Sequence, residues 1–84
     1  MKKIDVKLFA SLRSKMPDGN GRGKVELGND ATLTDLLGVL EIPEEMSQMT
    51  LINGEHCPPE QEWRAKRVLK EGEVVSVFPP LAGG

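Results

Sequence analysis

The sharpest constraint on this chain is a single apolar stripe. Leu33, Leu36, Leu37 and Leu40 fall at i, i+3, i+4 and i+7, so a helix over Thr32–Glu41 presents one hydrophobic face. Such a face must be buried against something. With 84 residues the chain has room for one core, because domains this small bury only about two-thirds of the surface they expose when unfolded. The partner layer must therefore come from the flanking segments, and these read as strands. The order is strand, short helix, strand, helix, strand, strand, strand, without regular βαβ alternation. That predicts an α+β domain, with a mixed sheet of about five strands packed on one main helix plus a short helix.

The segments carry their own signals. Thr32 with Asp35 resembles a capping box. Gly38 costs about 1 kcal/mol against alanine in a helix, which a close approach to the sheet would justify. Pro43 ends the helix and starts a short turn through Glu44-Glu45-Met46. Upstream, Lys3–Phe9 alternates, with Ile4, Val6 and Leu8 on one face and Asp5, Lys7 and Phe9 on the other. Ala10–Met16 can hold a short helix with Leu12 and Met16 on one side, halted by Pro17-Asp18-Gly19. Asn20–Gly23 reads as a loop and Lys24–Leu27 as a second strand. Asn53-Gly54 between Met49–Ile52 and Glu55–Cys57 is a hairpin signal, and Pro58-Pro59 makes the return strand an edge. Glu60–Lys70 is polar with isolated Trp63, Val68 and Leu69, and reads mostly as loop. Lys70–Glu73 is a turn. Val74–Phe78 is mostly apolar, which predicts a central strand buried on both faces.

Several function classes are disfavoured. Hydrophobic residues at 38%, with nine glycines, match an ordinary globular chain rather than a disordered one. A net charge of −2 argues against nucleic acid. Asp5 and Lys7 interrupt the start, so it does not read as a signal peptide, and no run is long enough to cross a membrane. One cysteine, Cys57, excludes an internal disulfide framework and suits a reducing, cytoplasmic setting. His56 adjoins Cys57, but neighbours on a strand face opposite ways. Glu55-His56-Cys57 lacks metal-ligand spacing. Gly19–Lys24 fails the phosphate-loop pattern, with Asp18 and Val25 where glycine and Ser or Thr belong, and fails the dinucleotide pattern at Lys24. No cofactor site is expected in this chain. Arg64, Lys66, Arg67 and Lys70 read as a solvated face diluted by Glu60, Glu62, Glu71 and Glu73; the sharper alternative is a docking patch for an acidic partner.

The C-terminus is different. After Phe78 comes Pro79-Pro80-Leu81-Ala82-Gly83-Gly84. Each proline fixes its own φ and restricts its predecessor, so the course is extended. Six residues reach about 20 Å. The reading is a domain over 1–78 and a flexible arm over 79–84, whose closing glycines would let a terminal carboxylate enter a narrow channel; the alternative is a frayed terminus with no such role.

Val77–Gly84 resembles the terminus of the small subunit of molybdopterin synthase, within the ubiquitin-like sulfur carriers of MoaD and ThiS type. Lys7–Arg13, Leu51–Gly54 and Leu69–Val75 are similar to that family's first strand, its central strand and turn, and its entry to the last strand. Glu55–Arg67 matches least. The resemblance implies a β-grasp fold and a chain whose chemistry is done on it by others. It implies that an E1-like enzyme uses ATP to adenylate the Gly84 carboxylate. A sulfurtransferase or cysteine desulfurase system then converts it to a thiocarboxylate. The tail, Pro79, Pro80, Leu81, Ala82 and Gly83, then enters the synthase large subunit, where the sulfur passes to a pterin precursor of the molybdenum or tungsten cofactor. Phe78 belongs to the docking surface or to the core; alternation alone does not decide. The alternatives are a carrier for thiamine, cysteine or another sulfur-containing product, a protein modifier, and an interaction module using Arg64–Lys70 or a sheet edge.

Overall fold

The leucine stripe is buried on a sheet. The computed structural model describes residues 1–16 and 19–80. Its first helix, α1, spans Leu33–Val39, and Leu33, Leu36, Leu37 and the capping Leu40 are all buried. The capping box is formed: Thr32 Oγ1 accepts from Asp35 N at 3.3 Å, and Thr32 N donates to Asp35 Oδ2 at 2.9 Å. The helix stops short of the expected Glu41, which turns to a φ of +57°. Gly38 makes no close approach: a β-carbon there would meet nothing within 4 Å. The packing reason expected for it is absent, because it sits on the exposed side of the helix.

Five strands form the partner layer: β1 Lys2–Leu8, β2 Arg22–Leu27, β3 Met49–Ile52, β4 Glu55–His56 and β5 Val74–Phe78, in the spatial order β2-β1-β5-β3-β4. β1 and β5 run parallel; the other neighbours are antiparallel. The core face carries Ile4, Val6, Leu8, Ile52, Val75 and Val77 beneath the helix. β5 is central, as its composition predicts. Its second face is not buried, since Val74, Ser76 and Phe78 are only partly covered. β2 begins at Arg22, two residues before the alternation becomes visible, because Gly23 hides the pattern. The hairpin turn has φ +53° at Asn53 and +84° at Gly54, the two left-handed residues of a type I′ turn.

Short elements complete the frame. Ala10–Lys15 is a 3-10 helix rather than an α-helix, and still buries Leu12 and Met16. Glu44–Met46 forms a second 3-10 turn after Pro43. Glu60–Lys70 is not mostly loop: α2 spans Gln61–Lys66. The residue that α2 buries is Arg64, at 0% exposure. Its Nε donates to Pro58 O at 2.8 Å, and its Nη1 donates to Ser47 O at 2.8 Å and Ser47 Oγ at 3.1 Å. Lys2 is buried likewise, donating to Asn29 O at 2.8 Å, Ala31 O at 3.0 Å and Leu69 O. Both cations are solvated by carbonyls, with no carboxylate in ion-pair contact among the described residues.

Candidate functional site

β1, β5 and β3 place three outward side chains in one row. The register sets Lys7 beside Ser76 and Phe78 beside Met49, which brings Phe9 level with Phe78. The two rings stack with centroids 4.2 Å apart and planes 6° from parallel. Phe78 therefore lies on the open face of the sheet, not in the core. Ala10 turns the chain at the end of β1 with a φ of +52°, a strained angle for a residue with a β-carbon. The turn carries the chain off the sheet and leaves the Phe9 ring beside Phe78.

The result is an open apolar trough of about 730 Å³, lined by Phe9, Ala10, Gln48, Met49, Leu51, Phe78, Pro79 and Pro80. Its floor is sheet, and its lip is the start of the arm. Pro79 is half-buried and Pro80 is exposed, so the chain leaves the domain across the trough. Of the expected tail, Leu81, Ala82, Gly83 and Gly84 lie outside the described residues. This open apolar trough is the candidate site.

The remaining candidates separate. His56 is exposed, with Nε2 3.0 Å from Met49 Sδ, at the trough's margin. Cys57 is 2% exposed on the opposite side, as alternation predicts. Burial pushes its thiol up, against a smaller opposing pull from Arg64 and Arg67. Among the described residues no three His, Cys, Asp or Glu side chains gather as metal ligands. No described helix is long and apolar enough to cross a membrane.

The basic cluster dissolves on inspection of its members, so neither a uniformly solvated face nor a joint docking patch describes it. Arg64 is internal, and burial pushes its guanidinium down. Arg67 pairs with Glu73 through two contacts, Nη1 to Oε1 at 3.2 Å and Nη2 to Oε2 at 2.8 Å. Burial works against the Glu73 charge, but Arg67 and the Lys70 amide outweigh it and hold the carboxyl below its usual range. Only Lys66 and Lys70 remain exposed. Sequence reasoning also left out Met49, Leu51 and Ala10 as trough residues. The outward positions of the strand Met49–Ile52 carry the missing signal, for Met49 and Leu51 are apolar where an open face calls for polar residues.

Comparison with known proteins agrees with this architecture. Among curated protein sequences nothing matches the chain. Solved structures do. One is a Pyrococcus furiosus protein assigned as molybdopterin converting factor subunit 1, with 25% identity and a TM-score of 0.71, covering 96% of this chain and 100% of that one. The HVO 2177 protein of Haloferax volcanii is similar at 26% identity and a TM-score of 0.72, over 99% of this chain and 87% of that one. Small archaeal modifier protein 1 of the same organism shares the fold at 23% identity and a TM-score of 0.70, over 96% and 100%. The family model of the ThiS family matches residues 6–84. With its β-grasp sheet and a family model matched over residues 6–84, the chain belongs to the ThiS family.

Proposed function

We propose that this chain carries sulfur as a thiocarboxylate on Gly84 and donates it in molybdopterin synthesis as the small subunit of the synthase. The observation that supports this most directly is the continuity of trough and arm. Phe78 stacks on the outer face, and Pro79 and Pro80 lead away from it toward Leu81-Ala82-Gly83-Gly84. A partner that covers the trough takes the arm into its own active site. The likeness to molybdopterin converting factor subunit 1 favours the pterin branch, as does the Phe78-Pro79-Pro80 run.

The chemistry divides between proteins. A carboxylate resists nucleophiles until one oxygen leaves easily. An E1-like partner supplies this by letting the Gly84 carboxylate attack the α-phosphorus of ATP, with loss of pyrophosphate. The outer sulfur of a persulfide on a sulfurtransferase or cysteine desulfurase system then displaces AMP at the acyl carbon. A thiol cleaves the resulting acyl disulfide, leaving the thiocarboxylate and a disulfide between that thiol and the sulfur donor. ATP is bound by the partner. The chain contributes the docking face, the reach and a tip without side chains. The large subunit then accepts the arm and directs the sulfur to the pterin.

The test is the intact mass of the chain after incubation with an E1-like enzyme, ATP and a sulfur source. Exchange of one oxygen for sulfur is expected in the full chain and in no chain lacking Gly84. An unchanged mass with competent partners overturns the reading. A stable complex with the synthase large subunit separates the pterin branch from thiamine or cysteine branches. The fold shared with small archaeal modifier protein 1 keeps a second reading in view, attachment of Gly84 to lysine amines. Its signature is Gly-Gly remnants on cellular proteins.

A further inference from the structure

The outer face of β1 and β2 carries three cross-strand pairs. Lys3 faces Glu26, and Asp5 faces Lys24, whose Nζ lies 3.7 Å from Asp5 Oδ1. The third pair, Lys7 and Arg22, is basic on both sides. Leu8 N donates to Gly21 O at 2.6 Å, so the Lys7–Arg22 pair occupies the adjacent, more closely spaced position without ladder hydrogen bonds. Like charges placed directly opposite repel. Among the described residues neither cation has an ion-pair partner, and Asp5, on the same face one row away, is taken by Lys24. A β-carbon at Gly21 would lie 2.7 Å from Arg13 Cγ, which sets the stem of a third exposed cation at the same corner.

Position gives this pair its meaning. Lys7 is level with Ser76 and Leu51, one row from Phe9, Phe78 and Met49. Two rows of the sheet match charge across the strands, and among the described residues the row bordering the trough leaves it unmatched. We propose that Lys7 and Arg22 receive an acidic segment of the E1-like adenylating enzyme as it covers the trough. The inference rests on the carrier reading and adds to it the chemistry of the docking partner. The adenylating enzyme is the occupant because activation precedes every fate of Gly84, whether pterin, thiamine or lysine. A chain of net charge −2 has no overall attraction for an acidic protein, so the local pair steers and orients the encounter.

Stopped-flow association of the full chain with its purified cognate adenylating enzyme tests this. Wild-type association is expected to slow about tenfold between about 20 and about 300 mM NaCl. The variant Lys7→Gln/Arg22→Gln should associate about 5- to 20-fold more slowly at low salt, with dissociation changed less than about threefold. Lys66→Gln/Lys70→Gln removes the same charge elsewhere and should stay within about twofold. Thermal melting should show the Lys7/Arg22 variant no less stable than wild type, since repulsion is relieved. Salt-independent wild-type association, or equal slowing in both variants, overturns the inference while leaving the carrier reading standing. Wild-type chain that neither binds nor acquires adenylate overturns both.

Discussion

A β-carbon at Gly38 would enter open space on an exposed helix face, so glycine there gives up helix propensity with no packing return. Gly38→Ala should stabilise the domain by about 0.5–1 kcal/mol, read by chemical denaturation. Arg64 is the opposite case. Its guanidinium satisfies the Pro58 carbonyl and shares the Ser47 carbonyl with the Thr50 hydroxyl. Arg64→Met keeps the apolar stem but removes the guanidinium's bond to Pro58 O and leaves Ser47 O to Thr50 alone, and should cost about 2–4 kcal/mol. A loss under about 0.5 kcal/mol would show that water replaces the guanidinium. Neither residue's state is legible from pattern. Hydropathy assigns arginine to the surface, and nothing in a sequence tells an idle glycine from a packed one.

At the scale of elements, Glu73 and Arg67 tie the entry of β5 to the end of α2. The folded carboxyl titrates below its unfolded value, so the unfolded chain takes up the proton first as the solution is acidified. The stability this pair contributes is whole above the ordinary glutamate range. It is lost as pH falls through that range to the depressed folded value. Glu73→Gln should therefore show a shallower fall of melting temperature with acidification than wild type; parallel curves would remove the pair from the acid response. Among elements, α1 and the Asn53-Gly54 hairpin were readable because each rests on local chemistry, a leucine spacing with a capping pair and a two-residue turn. α2 was not, because its inward side chain is Arg64 and its one aromatic, Trp63, is 39% exposed. The central place of β5 was readable from its apolar run, but not the openness of its second face. Outward Val74 and Phe78 look the same in sequence whether a helix or a partner covers them.

For the molecule as a whole, the two sides of the sheet have different work. The helix side holds the fold, and under the proposed function the trough side meets other proteins. Phe78→Ala should separate them. The ring is half-buried, so stability should fall by only about 1–2 kcal/mol, below the usual cost of emptying a core aromatic. Affinity for the tail-receiving partner should fall at least about tenfold, measured by titration calorimetry. Equal loss of both would make the stacked pair with Phe9 part of the scaffold. The candidate site was half legible: Phe78-Pro79-Pro80 announced itself, while Phe9, Met49 and Leu51 joined it only once strand register brought them level. The same register has a further consequence. β5 lies between β1 and β3, yet it comes last of the five in sequence. The sheet cannot close until the residues just before the arm have been made. A chain broken off before β5 thus has no closed sheet, because the strand that joins β1 to β3 is missing.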